Sequence, residues 1–169
     1  MAAKSASARQ VAEKYFEAIA ARDLDAMMEL WESGGFGHIY GMAKLRAPDG
    51  YREYFGAMFR AFPDFAMEAT DVVAYGDKAA VRWAATGTFS GTGKFEGLTP
   101  NGASISLEGL DLLTIRDGLI RENHAYTNPT ELARQVGAMP PAGSIGERAM
   151  LTAVNARTAA VKAIKSRRG

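Results

Sequence analysis

The sequence predicts an α+β fold in which helices cover one face of an antiparallel sheet. Apolar residues recur at helical spacing up to Phe62, whereas from Phe65 to Thr127 they alternate with a period of two. A run of helices followed by a run of strands is typical of this class, because consecutive strands pair as hairpins. The length of 169 residues and the 47% hydrophobic content fit one globular domain with an added element.

Three helices are predicted before the main strands. The first begins near Ser7, and Asp23 has the position of an N-cap for a second, short helix that should end at Ser33-Gly34-Gly35. A third helix follows Pro48-Asp49-Gly50 and ends at the next proline, because proline cannot continue a hydrogen-bonded helix. Residues 36–40, between the second and third helices, are predicted to form a short strand.

Four longer strands are predicted at residues 65–74, 79–89, 104–115 and 120–127. Tight turns join the first pair at Gly76-Asp77 and the second pair at Asp117-Gly118, because glycine accepts the positive φ that a short hairpin needs. A short helix around Leu132 follows the last strand. The strands therefore form a meander, and the early helices should cover one of its faces.

The part of the chain after residue 138 is predicted to be separate from this domain. Residues 1–138 form the domain, and residues 139–169 form a proline-containing linker and a final helix. Ser144 and Glu147 have the spacing of a capping box at the start of that helix. Its apolar stripe is broken, so the helix should not be stable alone and should pack on its own domain or on a partner subunit.

Several short motifs occur in a fixed order along these elements. They are Phe62-Pro63-Asp64-Phe65, Val81-Arg82-Trp83, Gly97-Leu98-Thr99-Pro100-Asn101-Gly102, Gly109-Leu110-Asp111-Leu112-Leu113 and Asp117-Gly118-Leu119-Ile120-Arg121-Glu122. In this order they resemble the SnoaL-like polyketide cyclases of the nuclear-transport-factor-2-like superfamily, over about residues 8–138. The resemblance implies a cone-shaped, strongly curved sheet that encloses a pocket with its helices. It leaves the activity open, because the superfamily contains cyclases, isomerases, epoxide hydrolases and non-catalytic binding proteins.

Asp111 is the residue that points most directly to chemistry. With a period of two it shares a face with Leu107, Gly109 and Leu113, so it interrupts an apolar row. Burial among apolar groups raises the pKa of a carboxyl, which can then act as a general acid or base near neutral pH. Asp111 is therefore a candidate catalytic residue. The alternatives are an ion pair with Arg82 and a place at a wet edge of the sheet.

His38 and His124 are two further candidate catalytic residues. Histidine changes its charge near pH 7 and so can carry protons. His38 lies on the predicted short strand, and His124 lies on the last strand, where it alternates with Asn123. The sequence leaves open which of the two alternating sets of the last strand faces inward.

Aromatic and polar side chains on the same elements are predicted to line a substrate pocket. Small-molecule sites are mostly apolar and contain a few converging polar groups. For aromatic residues at helical spacing, the alternative is a plain role in the core. The predicted substrate-binding residues are Tyr40, Tyr54, Phe59, Trp83, Asn123 and Tyr126.

The chain departs from the family on its last strand. The resemblance implies an aspartate there, which SnoaL-like cyclases use as the acid/base of an aldol ring closure, and the corresponding residue here is Ala125. Alanine cannot move a proton, and the nearest carboxylate of that strand is Glu122. One hypothesis is therefore a cofactor-free cyclase, isomerase or epoxide-opening enzyme that uses Asp111 on a bulky hydrophobic molecule. The others are a non-catalytic hydrophobic-ligand binding protein and a structural interaction protein.

Composition argues against several other classes. The chain has no cysteine, which excludes disulfides and thiolate metal sites, and two histidines alone predict no metal site and no cofactor. The net charge is +1 and no apolar run approaches about 20 residues, so we expect neither nucleic acid nor a membrane as partner. The expected partners are a hydrophobic small molecule and a second copy of the chain in a homodimer. The first ten residues lack a signal peptide's apolar stretch, which favours the cytoplasm.

Overall fold

The computed structural model describes residues 7–166 of the chain. Residues 1–6, on which part of the signal-peptide expectation rests, and residues 167–169 lie outside it. The helices are α1 (Ala8–Ala20), α2 (Leu24–Glu29), α3 (Asp49–Ala61), α4 (Pro129–Gln135) and α5 (Ile145–Ser166). The strands are β1 (Trp31–Ile39), β2 (Ala43–Arg46), β3 (Ala66–Tyr75), β4 (Lys78–Phe89), β5 (Ala103–Arg116) and β6 (Leu119–Tyr126).

The strands form one curved sheet in the order β2-β1-β6-β5-β4-β3. Neighbouring strands are antiparallel except β1 and β6, which run parallel. The chain reaches β6 from β1 through α3 and the other strands, and a parallel pair needs such a long crossover. The predicted α+β class with a curved, mainly antiparallel sheet is confirmed. We call the face that α1 and α3 cover the inner face, and the opposite one the outer face.

Side-chain caps fix the start of the first two helices, where the sequence predicts a start near Ser7 and a cap at Asp23. The Ser7 hydroxyl accepts a hydrogen bond from the backbone N–H of Gln10, and the Gln10 side chain accepts one from the Ser7 N–H at 3.0 Å. Asp23 Oδ1 accepts hydrogen bonds from the N–H groups of Asp25 and Ala26 at the start of α2. The capped α1 packs its apolar side on β3, β4 and β5.

The structure corrects the prediction for the segment that follows α2. Ser33-Gly34-Gly35 does not end that helix but lies inside β1, which already begins at Trp31. The Trp31 ring packs edge-on against Tyr15 of α1, which holds this residue in the core. Gly34 has a φ of 79°, and β1 changes its register with β6 at this point. The four-residue strand β2, which pairs with β1, was not predicted from the sequence.

The C-terminal helix α5 has no buried residue. Its first turn is held by Glu147, whose N–H donates to Ser144 Oγ at 3.1 Å and whose carboxylate accepts hydrogen bonds from Gly143 and Arg134. The division at residue 138 and the packing of this helix on a partner stay predictions. Between residues 7 and 166, no helix combines the length and the apolar character needed to cross a membrane.

Candidate active site

A cavity of about 90 Å³ lies between the inner face of the sheet and the helices α1, α3 and α4. Its wall is mostly aliphatic and aromatic, and it includes Met42, Met58 and Met67. The pocket that the resemblance implies is therefore present. The polar or partly polar side chains of the wall are Tyr51, Tyr54, Trp83, Asp111, Asn123 and Thr127.

Asp111 forms part of this wall, with only 6% of its surface exposed. Trp83 Nε1 donates a hydrogen bond to its Oδ1 at 2.8 Å, and Asn123 Nδ2 donates one to its Oδ2 at 2.6 Å. Burial raises the pKa of Asp111 above its ordinary value, and the two hydrogen bonds oppose that rise. Neither sequence-based alternative holds, because Arg82 pairs with Glu108 at 2.8 Å and β5 is an interior strand of the sheet.

Two glycines of the sheet let aromatic side chains approach this carboxyl. Gly109 is the cross-strand partner of Trp83, and a Cβ at position 109 would lie 2.1 Å from the indole ring. Gly37 does the same for Tyr51, because a Cβ at position 37 would lie 1.8 Å from Tyr51 Oη. The Trp83 ring therefore approaches the backbone of β5 two residues from Asp111, whereas the Tyr51 hydroxyl approaches the backbone of β1, which β6 separates from β5.

Helix α4 closes one end of the cavity, and one of its side chains forms two hydrogen bonds with the backbone of β5. The Gln135 side chain accepts a hydrogen bond from the Ser106 N–H at 2.8 Å and donates one to the Ser106 carbonyl at 3.0 Å. Just beyond this helix, Asn101 Nδ2 donates to the Val136 carbonyl at 2.9 Å. Leu132 extends from α4 into the cavity wall.

The two histidines lie on the outer face of the sheet. His38 and His124 are partners in the parallel register of β1 and β6, and Tyr40 Oη lies 3.2 Å from His124 Nδ1. Tyr40 stacks on Tyr126, with ring centroids 4.4 Å apart. None of these four residues is part of the described cavity wall. The expectation that they share a pocket with Asp111 is therefore corrected.

The alternation of side chains along β6 explains this correction. Asn123 and Ala125, with Thr127 just after the strand, contribute to the cavity wall. Successive side chains of a strand point to opposite faces, so His124 and Tyr126 lie on the other side of the sheet. The sequence could not choose between the two sets, because each contains groups that can form hydrogen bonds.

Three of the predicted substrate-binding residues line the cavity: Tyr54, Trp83 and Asn123. Phe59 does not, because it packs in the core with the Arg22 guanidinium 5.0 Å from its ring centroid. The part that these residues play in substrate binding stays a prediction.

Tyr51 also lines the cavity, although it is not among the site residues predicted from the sequence. Tyr51 belongs to the apolar side of α3, where an aromatic residue is ordinarily a core residue. The signal that identifies it is its contact with Gly37, which only the folded structure shows. Burial raises the pKa of Tyr51 well above its ordinary value, so its hydroxyl keeps its proton.

Asp111 is the only described residue of the cavity wall that can carry a charge near neutral pH. Residues 7–166 contain no group of three or more acidic or histidine side chains arranged to hold a metal ion. A carboxyl in an apolar wall can exchange a proton with a bound molecule while bulk water is excluded.

Comparison with protein families matches residues 9–136 to the SnoaL-like polyketide cyclases. The matched span contains all six strands, and it ends just after α4. Helix α5 lies outside it. No match was found among curated proteins.

Solved structures with the same fold come from several bacteria. AclR from Streptomyces galilaeus, a proposed hydroxylase, is 21% identical with a TM-score of 0.68, and the alignment covers 94% of this chain and 96% of AclR. A proposed SnoaL-like polyketide cyclase from Jannaschia sp. CCS1 is 20% identical with a TM-score of 0.70, covering 82% of this chain and all of that one. IdmH from Streptomyces antibioticus, a proposed polyketide cyclase, is 25% identical with a TM-score of 0.65, covering 78% and 99%. Because the family match spans most of the chain, the protein belongs to the SnoaL-like polyketide cyclase family.

Proposed function

We propose that the protein is a cofactor-free, cyclase-like enzyme that moves a proton on a hydrophobic carbonyl compound, with Asp111 as general base and acid. The observation that carries this proposal is the buried carboxyl of Asp111 in the wall of an otherwise uncharged cavity. IdmH and the Jannaschia protein, both proposed polyketide cyclases, are consistent with this class of substrate.

The two hydrogen bonds to Asp111 suit it to a proton transfer in both directions. Trp83 and Asn123 each donate to a different oxygen, so they orient the carboxyl and stabilise its anion. Burial acts against the anion, and its pKa is therefore raised toward the range in which a group both takes and returns protons.

The simplest reaction of such a site is the removal of a proton next to a carbonyl. The Asp111 carboxylate takes a proton from the carbon, the electron pair of the C–H bond forms a carbon–carbon double bond, and the carbonyl electrons move to oxygen. The resulting enolate is the nucleophile that an aldol ring closure needs. Return of the proton from Asp111 to carbon or oxygen restores the enzyme.

Deuterium exchange tests this proposal without knowledge of the natural substrate. A small bicyclic ketone such as 2-tetralone is incubated in deuterated buffer, and the loss of its α-proton signals is followed by NMR. Asp111→Asn should lower the protein-dependent exchange rate by about 10²-fold or more, because the general base is removed. Glu108→Gln, the same chemical change on the outer face of β5, should leave the rate within about twofold of the wild type. Equal rates in the wild type and Asp111→Asn would exclude Asp111 as the base.

A non-catalytic binding protein is the second candidate, and Ala125 is the observation that favours it. Ala125 lies in the cavity wall, where the family's aspartate is expected from the resemblance. This candidate predicts that 2-naphthol raises the melting temperature of the protein, while 2-tetralone exchanges no faster than in buffer. Exchange that depends on Asp111 would exclude it.

The homodimer and the cytoplasmic location stay predictions. Leu110 and Leu112 support the dimer, because they lie on the outer face of β5 with 41% and 36% of their surfaces exposed. Light scattering at micromolar concentration should give twice the mass of the chain, and a monomer mass would contradict the dimer.

A further inference from the structure

Tyr51 presents a buried hydroxyl that has no hydrogen-bond partner in the described structure. The residue is 1% exposed and lines the cavity, and its Oη is shielded from solvent. A buried hydroxyl without a partner loses its hydrogen bonds to water without replacement, so such groups are rare unless a ligand or an ordered water supplies a partner. Asn123 Oδ1, also in the cavity wall, likewise has no partner, so a molecule bound in the cavity can satisfy both groups.

The position of Tyr51 Oη follows from the sheet register. It lies 1.8 Å from the position that a Cβ of Gly37 would occupy, and Gly37 pairs with Asn123 across β1 and β6. Asn123 in turn donates a hydrogen bond to Asp111. The Asn123 side chain therefore lies between the Tyr51 hydroxyl and the Asp111 carboxyl, on the same face of the sheet.

Some of the hydrogen-bond donors near Asp111 already have a partner and others do not. The Trp83 N–H and one hydrogen of the Asn123 amide are already engaged by Asp111. Thr127 Oγ1 also lacks a partner, but it follows the end of β6, two residues after Ala125. Tyr51 is the O–H donor adjacent to Asn123, and it lies close enough for the Asn123 side chain to oppose the rise of its pKa. Burial keeps this phenol protonated, which an O–H donor requires.

We propose that Tyr51 is a further catalytic residue, which donates a hydrogen bond to the oxygen of the bound carbonyl compound while Asp111 takes the proton from the neighbouring carbon. This proposal rests on the function proposed above. As the electrons move from the C–H bond to oxygen, negative charge develops on that oxygen. A fixed donor at this point stabilises the enolate more than the ketone, and so lowers the barrier.

Neighbouring aromatic rings fix the orientation of the Tyr51 ring. The Trp31 ring lies 4.2 Å from it, centroid to centroid, and the Phe55 ring stacks at 6.1 Å on the same helix. The absence of a side chain at Gly37 holds room for the hydroxyl itself. A donor fixed by packing needs no reorganisation when charge develops.

A pair of ligands that differ by one oxygen tests the proposal through binding alone. 2-Naphthol mimics the enol of 2-tetralone, and naphthalene has the same rings without the oxygen. Fluorescence titration of the wild type should give a tighter Kd for 2-naphthol. Tyr51→Phe should raise the Kd of 2-naphthol by about tenfold, since a hydrogen bond of about 1.4 kcal/mol corresponds to that factor. It should leave the Kd of naphthalene within about twofold, because the ring remains.

The possible outcomes separate this proposal from a packing role and from the function proposed above. If Tyr51→Phe weakens the binding of both ligands equally, Tyr51 has a packing role and the proposal is overturned. If it weakens the binding of neither ligand, the proposal is also overturned. If Tyr51→Phe fails to fold, equal affinities of the wild type for the two ligands would also overturn it. Tyr75→Phe removes an exposed hydroxyl on β3 and should change neither Kd. The titrations measure binding and not turnover, so their result does not depend on the outcome of the deuterium-exchange test of Asp111.

Discussion

Asp111 and Ala125 are direct cross-strand partners in the antiparallel register of β5 and β6, and both contribute to the cavity wall. The resemblance to SnoaL-like cyclases implies an acid at the position of Ala125. In this chain the acid lies on the neighbouring strand instead. Directly opposed residues on one face have Cβ atoms about 4.5–5.5 Å apart, so a carboxyl on either strand can serve the same part of the cavity.

The first prediction concerns exchange of the acid between the two strands. Ala125→Asp alone places two carboxyls in one apolar cavity, and like charges at that distance cannot both ionise without cost. We expect the variant to lose about 1–3 kcal/mol of unfolding free energy at pH 8 relative to the wild type, and less at pH 4, by urea denaturation. The double variant Asp111→Ala, Ala125→Asp should recover stability and part of the 2-tetralone exchange. A double variant that folds but shows no exchange would contradict the idea that either strand can carry the acid.

The second prediction is a pH-dependent stability difference between Asp111→Asn and the wild type. Burial raises the pKa of Asp111 in the folded state, so the folded protein holds that proton more tightly than the unfolded chain does. The stabilisation is fully present below the unfolded pKa and is lost as pH rises through the folded pKa. The wild type should therefore lose stability relative to Asp111→Asn over this window, with a constant difference above it.

Melting curves between pH 4 and pH 8 measure this difference. The titratable groups that approach Asp111 are the phenols of Tyr15 and Tyr51 from α1 and α3, and burial raises the pKa of both above the ordinary value. Neither changes its charge in this range. A difference in melting temperature that does not vary with pH would show that the carboxyl has the same pKa in the folded and unfolded states.

The third prediction concerns the close approach of Trp83 to Gly109. Gly109→Ala would drive a Cβ into the indole, 2.1 Å from the nearest ring atom, and should displace the Trp83 N–H from Asp111. We expect a loss of about 1–3 kcal/mol in urea denaturation and a weaker Kd for 2-naphthol. Gly87→Ala on β4 is the matched control, because its Cβ would lie 3.4 Å from the nearest atom. Equal stability of the two variants would show that the Trp83 ring can move freely.

The fourth prediction tests the placement of the histidines. The double variant His38→Asn, His124→Asn changes only the outer face of β1 and β6. The rate of 2-tetralone exchange should stay within about threefold of the wild type, because neither side chain reaches the cavity. A loss comparable to that of Asp111→Asn would mean that a histidine takes part in the proton transfer.

The alternation of side chains along the strands is sufficient to predict which residues of β5 line the cavity. The alternation along β5 puts Ile105, Leu107 and Asp111 on one face, and the structure has all three in the cavity wall. The helix start near Ser7 and the cap at Asp23 depend on local signals, so they could be identified before the fold was known. The motifs named the family for the same reason, since their order does not depend on tertiary contacts.

The remaining features depend on contacts between distant parts of the chain. Which face of β6 is inward follows from its pairing with β5, where Asn123 and Ala125 stand beside Leu113 and Asp111. Tyr51 is distinguished from an ordinary core aromatic only by Gly37 on β1. The glycines at 34 and 35 resemble a helix stop, but the pairing of β1 with β6 makes them part of a strand.

The pH dependence of 2-tetralone exchange, set beside the titration of Asp111 itself, tests the central claim most directly. Carbon-13 labelling of the aspartate carboxyls lets NMR follow Asp111, assigned by its loss in Asp111→Asn. We predict that the exchange rate rises with pH through the same midpoint as the Asp111 signal, and that this midpoint lies above the ordinary value of 3.8. An exchange rate that does not change across the Asp111 titration would contradict a role for this carboxyl in the reaction.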